Sequence, residues 1–312
     1  MITVVGSLNM DLVAEAPSLP TAGETVLGRQ FRQSPGGKGA NQACAVARLG
    51  VPVQLIGCVG ADEFGRQMTA NLAAFGIGHD GVMTKQDVPS GVALIVVDDH
   101  GENQIVVCGG ANATLSVEDI HSQAGIIGNA SVVVAQLEVP LKAVETAFRM
   151  GRDAGALTIL NPAPAQPLSD ELLRLCDWII PNESEAVRLL GHASSGPQEP
   201  AILSAVLRQR APGIGVVITL GAKGAWLDHK AERVLVPSFQ VEAVDTVGAG
   251  DAFVGAFAAW LDEGGTSRQA VEFATAAAAL AVTRPGAQAG LPTRGETEAL
   301  GRDAALRRPR GA

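Results

Sequence analysis

The fold class is decided by Ser131-Val132-Val133-Val134-Ala135-Gln136-Leu137, the helical segment 141–153 and the apolar run 157–160. The two apolar runs are short and nearly continuous in Val, Ile and Leu, and the segment between them repeats its apolar residues with the helical period. A strand that is apolar at successive positions is buried on both faces. The stretch therefore predicts a strand–helix–strand unit of a parallel sheet that helices cover on both sides.

The same alternation continues in both directions along the chain. Further buried strands are predicted at 53–59, 178–180 and 215–220, and helices at 63–75, 170–175, 183–190 and 201–210. Two Ala-rich helices, 252–263 and 268–283, are too apolar on all sides to lie on the surface. We predict an α/β protein with a three-layer α/β/α fold and a mostly parallel central sheet, forming a single domain over residues 1–312.

Two segments interrupt this alternation. Residues 8–33 and 91–107 have the pattern of antiparallel strand pairs, the second folded at Asp98-Asp99-His100-Gly101. A small β-sheet inserted into an α/β core often covers a ligand site as a lid. An ordinary extension of the sheet edge explains the pattern equally well, so both interpretations stay open.

Composition excludes several classes of protein. The 312 residues are 47% hydrophobic and 18% charged, which is too apolar for a disordered chain. The uncharged apolar runs are shorter than the ~18–20 residues that span a bilayer, and no signal-peptide pattern is present. A net charge of −9 disfavours nucleic-acid binding, and we interpret the basic residues Arg302, Arg307, Arg308 and Arg310 as a solvated tail. We expect a cytoplasmic protein with no membrane or nucleic-acid partner.

The cysteines and histidines form no metal or disulfide pattern. Cys44, Cys58, Cys108 and Cys176 are scattered among apolar neighbours without a C-x-x-C pair, so we predict buried, reduced side chains. The five histidines form no H-E-x-x-H or i, i+4 pair. We therefore expect no histidine-based metal site or catalytic triad.

The strongest local motif is Asp245-Thr246-Val247-Gly248-Ala249-Gly250-Asp251, directly before the helix 252–263. Its glycines let the backbone approach a ligand closely, and the helix N-terminus presents unpaired N–H groups to an anion. This arrangement is an anion hole suited to a transferring phosphoryl group. Asp251 is either a capping carboxylate or a general base for an attacking hydroxyl, and the spacing does not decide between these roles.

A second glycine-rich stretch, Gly36-Gly37-Lys38-Gly39-Ala40-Asn41, opens a helix that ends at Leu49-Gly50. It is not a P-loop, because Gly39 follows Lys38 where Ser or Thr is required. It forms either a tight turn with an exposed lysine or a close approach to a polyhydroxylated ligand, with Lys38 and Asn41 as donors. The G-x-G-x-x-G match at 76–81 follows a helix rather than a strand, so we reject a dinucleotide site there.

Polar groups also stand where predicted parallel strands end, the edge at which open α/β sheets bind ligands. Glu138 follows one strand, and Asn182 and Glu185 follow another. Carboxylate and amide oxygens beside phosphate suit Mg²⁺, although helix capping accounts equally well for Asn182 and Glu185. The segment 219–224 is either a plain turn or a loop that contacts a nucleotide.

Together these motifs resemble the PfkB family of carbohydrate kinases. The N-terminal family pattern is matched by residues 36–43 and 57–60, and the C-terminal pattern by residues 245–251. Residues 6–11, 161–165, 181–183 and 281–284 match as well, so the similarity covers about residues 2–292. Over this length the chain is most similar to family members that phosphorylate D-ribose.

The resemblance implies an ATP-dependent kinase for D-ribose, with Asp251 as the general base for the 5-hydroxyl and Gly248, Ala249 and Gly250 as the anion hole. The sugar would lie under the lid, at Asn9, Met10, Asp11, Gly37, Lys38, Gly39, Ala40, Asn41, Glu138 and Asp251. ATP would lie along Asn182, Thr219, Leu220, Gly221, Ala222, Lys223, Gly224, Gly250, Asp251 and Thr275. Mg²⁺ would lie near Asn182 and Glu185 and contact them through water.

Similar kinases also bind a monovalent cation, usually K⁺, beside the anion hole. The matching positions are Asp245, Val247, Ala281, Arg284, Gly286 and Gly290, several of them through carbonyl oxygens. Position 290 is Gly where Ser is common, which removes a side-chain ligand, and Pro285 stiffens the same loop. The resemblance further implies a homodimer in which the lids of two subunits pack together.

Three functions remain open on the sequence. The first is a D-ribose kinase, and the second is a related kinase for deoxyribose, fructose or a nucleoside. A nucleoside is disfavoured because the chain has no tyrosine and Phe31 is the one obvious stacking residue near the lid. The third is a catalytically silent sugar-binding protein, which would not need Asp251.

Overall fold

The computed structural model describes residues 1–191 and 199–307, apart from the side chains of residues 303–307. His192 and the tail residues Arg308, Pro309 and Arg310 lie outside the described residues. The strands are β1 (Ile2–Val5), β2 (Asn9–Glu15), β3 (Gln30–Gly36), β4 (Val53–Gly60), β5 (Gly78–Lys85), β6 (Gly91–Val97), β7 (Asn103–Cys108), β8 (Val132–Ala135), β9 (Leu157–Leu160), β10 (Trp178–Ile179), β11 (Gly215–Thr219), β12 (Ala225–His229) and β13 (Glu232–Val236). The α-helices are α1 (Lys38–Arg48), α2 (Glu63–Ala74), α3 (Val117–Ser122), α4 (Ala124–Gly128), α5 (Leu141–Asp153), α6 (Asp170–Leu175), α7 (Glu183–Leu189), α8 (Pro200–Arg210), α9 (Ala249–Asp262), α10 (Ser267–Ala281) and α11 (Arg294–Arg307).

The larger sheet has the strand order β13-β12-β11-β10-β9-β8-β1-β4-β5. Every neighbouring pair from β11 to β5 is parallel, whereas β12 and β13 continue the sheet in antiparallel fashion. The predicted α/β fold with a mostly parallel sheet is therefore confirmed. The predictions did not include β1, β5, β12 and β13; β5 and β13 are edge strands with mixed burial, so they lack a continuous apolar run.

Helices cover both faces of this sheet. Alternate residues of one strand enter different cores: Val132 and Val134 of β8 pack in the core that contains α1, α9 and α10, and Val133 packs in the core that contains α5 and α8. This alternation is the physical reason for the nearly continuous apolar strands, since both faces must be dry. The Ala-rich helices α9 and α10 are buried as predicted.

The two segments that interrupt the alternation form a second sheet of order β3-β2-β6-β7, called the small sheet below. The predicted antiparallel pairs β2–β3 and β6–β7 are both present, and β2 joins them by pairing in parallel with β6. Its apolar side chains are partly exposed, with 65% of Phe31 and 60% of Val106 accessible to solvent.

The cysteine prediction is wrong for one residue of four. Cys44, Cys58 and Cys176 are buried, but Cys108 is exposed because β7 is the edge strand of the small sheet. Burial raises the pKa of the Cys44 thiol to about 12 and that of Cys58 to about 11, so both stay protonated at neutral pH.

Neither a metal cluster nor a bilayer-spanning helix is present in the part of the chain that the structure describes. No three or more His, Cys, Asp or Glu side chains within residues 1–191 and 199–302 lie together in a group that could hold a metal ion. None of the helices in the described ranges combines the length and apolar character needed to cross a bilayer.

Candidate active site

The polar residues of the site gather at the carboxyl-terminal edge of the larger sheet. Glu138 follows β8, Asn161 follows β9, Asn182 follows β10, and the segment 219–224 follows β11. Parallel strands end at one edge, and the loops there form the crevice in which such sheets bind ligands. The fold thus brings together residues that are far apart in the chain.

The N-terminus of α9 lies at this edge, and the helix begins at Ala249, inside the glycine motif and three residues before the predicted start at 252. Gly248 is its N-cap, with a φ of 79°, and a Cβ there would lie 2.8 Å from Cα of Ala287. Ala249 donates weakly to the Thr246 carbonyl at 3.3 Å, whereas the N–H groups of Gly250 and Asp251 find no acceptor among the described residues. These free donors at a helix N-terminus suit an anion.

Asp251 lies in the first turn of α9 and is only 7% exposed. Its Oδ2 accepts a hydrogen bond from Asn41 Nδ2 at 3.0 Å, and its Oδ1 accepts one from Gln42 Nε2 at 3.0 Å. Neither bond is a capping bond to the helix backbone, so capping does not account for this carboxylate. One lone pair on each oxygen remains for a ligand.

Asp251 is surrounded by buried amides that were not among the predicted site residues. On one side Gln42 contacts Gln136 and Asn161, and on the other Gln288 Nε2 donates to Asn41 Oδ1 at 2.9 Å. Gln42 lies inside the quoted glycine-rich family pattern and Gln136 stands two residues before Glu138. The one sequence signal for these glutamines was their position next to predicted site residues. The sequence alone does not distinguish a buried amide that belongs to a functional site from one that only stabilises the core.

Glu138 is held by three donors on one oxygen. Its Oε2 accepts from Ser7 Oγ, from Asn9 Nδ2 at 3.4 Å and from the backbone N–H of Lys38 at 3.2 Å. Asn112 in turn donates to Asn9 Oδ1 at 2.8 Å, and neither Asn112 nor Ser7 was among the predicted site residues. The predicted sugar residues Asn9, Lys38 and Glu138 therefore lie together.

Three charged residues of this cleft, Asp11, Lys38 and Glu185, have shifted pKa values. Burial, with the negative charges of Glu138 and Asp251, raises the pKa of Asp11 to about 7. Burial opposes the charge of Lys38, but Asp251, Glu138, Glu185 and Asp11 together outweigh it, and its pKa lies above the ordinary value. Burial also raises the pKa of Glu185. Lys38 is thus a cation that interacts with four carboxylates of this cleft, Asp11, Glu138, Glu185 and Asp251.

The raised pKa of Asp11 predicts a stability that depends on pH. A carboxyl whose pKa rises on folding favours the folded state below its unfolded pKa, and this contribution is lost as the pH rises through about 7. Asp11→Asn should therefore raise Tm by a few degrees at about pH 8 and by less at about pH 5, corresponding to ~1–2 kcal/mol after solvent screening. Thermal unfolding at both pH values measures this.

The control for this prediction is Asp80→Asn, which removes an exposed carboxylate of β5. Its Tm change should be small and equal at both pH values. An Asp11→Asn variant whose Tm gain does not grow with pH would contradict the burial argument.

The remaining residues of the predicted sugar set form the backbone wall of the cleft. The side chains of Met10 and Ala40 are buried in the core, so only their backbones face the site. Gly37 has a φ of 90° and a Cβ there would lie 2.6 Å from the backbone nitrogen of Asn9. At Gly39 a Cβ would lie 2.5 Å from the nitrogen of Ser7. The glycines let the start of α1 contact the β1–β2 connection directly.

A cavity of about 320 Å³ opens beside the N-terminus of α9. Six of the residues assigned to the nucleotide line it: Thr219, Gly221, Ala222, Gly224, Gly250 and Thr275. The apolar part of the wall, which the sequence analysis did not predict, comes from Phe239, Val241, Ala243, Phe253, Ala278, Ala279 and Val282. Leu220 packs in the core and Lys223 is exposed outside the wall. An apolar cleft with a few polar groups suits a flat heterocycle.

Asn182 and Glu185 form a capping box at the start of α7. Asn182 Oδ1 accepts from the Glu185 N–H at 2.8 Å, and Glu185 Oε2 accepts from the Asn182 N–H at 2.8 Å. Their capping role is therefore present in the structure. Asn182 Oδ1 also accepts from Ser184 Oγ at 2.9 Å, so Glu185 Oε1 and the second lone pair of Glu185 Oε2 are what remains for a hydrated cation.

The six positions assigned to a monovalent cation lie in two connected segments, one before α9 and one at and after the end of α10. Asp245 Oδ1 accepts from the Val247 N–H at 3.0 Å and Oδ2 from the Gly286 N–H at 2.9 Å, which ties the segments together. The carbonyl oxygens of Ala281, Arg284 and Gly286 converge on Gly290, where a Cβ would lie 2.8–3.1 Å from all three. Hard oxygen donors of this kind suit an alkali cation.

Comparison with known proteins decides the family. The sequence pattern of the family described as pfkB family carbohydrate kinase matches residues 1–294 of the chain. The chain belongs to the PfkB family of carbohydrate kinases. The resemblance found in the two glycine-rich motifs is thereby confirmed, and the protein is an ATP-dependent carbohydrate kinase.

Its PfkB-family relatives match along their whole length. The chain is 42% identical to a ribokinase of Haemophilus influenzae over 95% of its own length and 96% of the relative's. It is 37% identical to a deoxyribokinase of Salmonella typhi, with 94% and 95% covered. Its fold is similar to the structure of an Arabidopsis thaliana ribokinase complexed with ribose and ATP, at a TM-score of 0.87 and 32% identity, with 96% and 98% covered.

Proposed function

We propose that this protein transfers the γ-phosphoryl group of ATP to the 5-hydroxyl of D-ribose, giving D-ribose 5-phosphate and ADP. The observation that carries the proposal is the position of Asp251. It stands in the first turn of α9, beside the free N–H groups that begin this helix, and its charge acts on Lys38 of the polar cluster formed by Asn9, Lys38 and Glu138. The ribokinase relatives support ribose as the acceptor.

In this reaction Asp251 acts as the general base. Its carboxylate takes the proton of the 5-hydroxyl, and the sugar oxygen forms the new bond to the γ-phosphorus. The bond from that phosphorus to the bridging oxygen breaks, and ADP leaves with its electron pair. The N–H groups of Gly248, Ala249 and Gly250 stabilise the charge on the transferred group.

Sugar and nucleotide take opposite sides of Asp251 in this proposal. The sugar hydroxyls bind Asn9, Asp11, Lys38, Asn41 and Glu138, while the backbones of Met10, Gly37, Gly39 and Ala40 shape the wall. ATP lies along Asn182 and the 219–224 segment with its base in the cavity near Thr275. When bound, Mg²⁺ neutralises charge on the phosphate oxygens, and Asn182 and Glu185 hold it through water.

The test is ADP release from a panel of pentoses, 2-deoxyribose, fructose and nucleosides, with Mg²⁺ and K⁺ present. We expect kcat/KM to be highest for D-ribose. A site that hydrogen-bonds the sugar hydroxyls rejects an analogue lacking one of them by a large factor. Absence of turnover with ribose overturns the proposal.

A deoxyribose kinase is the second candidate, because the Salmonella relative named above is a deoxyribokinase. Higher kcat/KM with 2-deoxyribose than with ribose would favour it. A nucleoside kinase and a silent sugar-binding protein have less support: Phe31 faces solvent rather than the cleft, and Asp251 is retained with donors on both oxygens.

We propose K⁺ as an activator bound by Asp245, Val247, Ala281, Arg284, Gly286 and Gly290. At Gly290, Gly290→Ala would press a methyl group against three carbonyl oxygens at 2.8–3.1 Å, so these ligands must move. We expect the stimulation of kcat by K⁺ to fall at least about fivefold, a typical coupling between two sites. Rates with and without K⁺ measure this, together with the K⁺-dependent shift in Tm.

Gly295→Ala is the control for the K⁺ prediction, since a Cβ there meets nothing within 4 Å. It should keep the full response to K⁺. Unchanged stimulation in Gly290→Ala would argue against a cation in this loop.

We also propose that the small sheet is a lid on a single catalytic domain and that two lids pack together in a homodimer. Leu94, Ile105, Val106 and Val107 leave apolar area exposed on it, and burial of such area drives association. Sedimentation equilibrium would then give twice the mass of one chain. We further propose a cytoplasmic location, where ATP is available and thiols stay reduced.

A further inference from the structure

Gln42 is a fully buried residue of α1 and links Asp251 to the larger sheet. Its Nε2 donates to Asp251 Oδ1 at 3.0 Å and to Asn161 Oδ1 at 3.1 Å. Its Oε1 accepts from Gln136 Nε2 at 2.6 Å. Both donors and the acceptor of this amide are therefore engaged.

The direction in which the Gln42 amide faces follows from a backbone carbonyl. Asn161 Nδ2 donates to the Ile180 carbonyl oxygen at 2.8 Å, and a carbonyl can only accept. Asn161 must therefore present its oxygen to Gln42, which in turn must present its NH₂ group to Asn161 and Asp251. Gln136 donates to the oxygen that remains. The amide is thus oriented before any ligand binds.

We propose that Gln42 is a positioning residue for the phosphoryl transfer, holding Asp251 Oδ1 with a donor of fixed direction so that the ionised carboxylate faces the acceptor hydroxyl. The inference rests on the proposed function, in which Asp251 is the base. A hydrogen bond donated to a carboxylate favours its ionised form and is stronger than a bond between neutral groups. Water does not replace it, because Gln42 is 0% exposed.

Charged groups face Asp251 from three elements. Lys38 at the start of α1 favours the ionised carboxylate, while Asp11 of β2 and Glu185 of α7 oppose it. None of the three is hydrogen-bonded to Asp251 among the described residues, so their effect is exerted at a distance. A substitution at Gln42 leaves these three charged groups in place. A difference in kcat between Gln42 variants and the unsubstituted protein therefore reports on the hydrogen bond from Gln42 to Asp251.

Gln42→Met tests the proposal, because methionine keeps the length of the side chain and removes the donor. We expect kcat for ribose to fall about 10- to 100-fold, the loss of one hydrogen bond to a charged group, with KM for ribose within about twofold. The acid side of the pH–kcat profile should move upward by about one pH unit.

Gln136→Met is the matched control. It is the same substitution at a glutamine that is also 0% exposed, and it removes a hydrogen bond of the same chain without touching Asp251. It removes one hydrogen bond and a buried oxygen that has no partner among the described residues, whereas Gln42→Met removes three bonds, so it should lower Tm by less, and kcat should change less than about threefold. Equal losses of kcat in both variants, with an unmoved pH profile, would make Gln42 a packing residue only and overturn the proposal.

Gln42→Glu keeps the test decisive if Gln42→Met does not fold. When ionised, the substituted carboxyl places a second negative charge beside Asp251, and two such groups share a proton. The kcat of Gln42→Glu should therefore fall as the pH rises, whereas that of Gln42→Met should fall as the pH decreases. A pH–kcat profile with an unchanged alkaline limb in Gln42→Glu would contradict the proposal. If the unsubstituted protein itself fails to phosphorylate ribose, the proposed function falls and takes this inference with it.

Discussion

Asp251→Asn is expected to lower kcat by about 10³-fold while ribose binding stays within a few-fold of the native value. A positioned general base contributes about 10²–10⁴ to the rate, and an amide cannot take the proton of the 5-hydroxyl. The variant should also lose about 1–2 kcal/mol of stability. Asn41 and Gln42 each donate to one carboxylate oxygen, and an amide offers an oxygen to only one of them.

The measurements are kcat from coupled ADP release and the Kd for ribose from calorimetry. The control is Asp262→Asn, the same substitution eleven residues further along α9, ~16 Å away. Asp262 accepts from the Met1 amine and from Ser131, so its loss should change Tm but not kcat. A near-native kcat in Asp251→Asn would show that another group takes the proton.

Gly248→Ala is expected to lower kcat by about 10²-fold, whereas the affinity for ribose should change little. Gly248 has a φ of 79°, and a Cβ would meet Ala287 at 2.8–2.9 Å, so the backbone must shift. The shift moves the N–H groups at the start of α9, which in the proposed reaction stabilise the transferred phosphoryl group. Removing one such donor typically costs about 10²–10³ in kcat.

The matched control is Gly264→Ala, just beyond the other end of α9. Gly264 also has a φ of 79°, but a Cβ there meets nothing within 4 Å. An alanine at a positive φ introduces backbone strain of about 1 kcal/mol in both variants, but only Gly248→Ala should lose activity. Similar kinetics in the two variants would mean that the anion hole does not depend on the position of Gly248.

The site could be predicted wherever a residue type is needed for local backbone geometry or stands at the end of a strand. The motif at 245–251 predicted a helix N-terminus with free N–H groups to within three residues, and Glu138 and Asn182 could be proposed because they follow apolar strands. Gln288, by contrast, reaches Asn41 across 247 residues of sequence separation, and no local pattern marks it. Cys108 was misjudged because exposure depends on which strand lies at a sheet edge.

The sequence pattern alone was sufficient to predict the buried parallel strands, the helices that cover them and the two glycine-rich turns. Hydrophobic periodicity and a positive φ are local constraints that few residue types satisfy. Only the tertiary structure decided which polar groups meet. The hydrogen bonds of Asp251 to Asn41 and Gln42, the support of Glu138 by Ser7, and the apolar wall of the cavity beside α9 join distant segments. Their geometry follows from the register and packing of whole elements, which no single stretch of sequence carries.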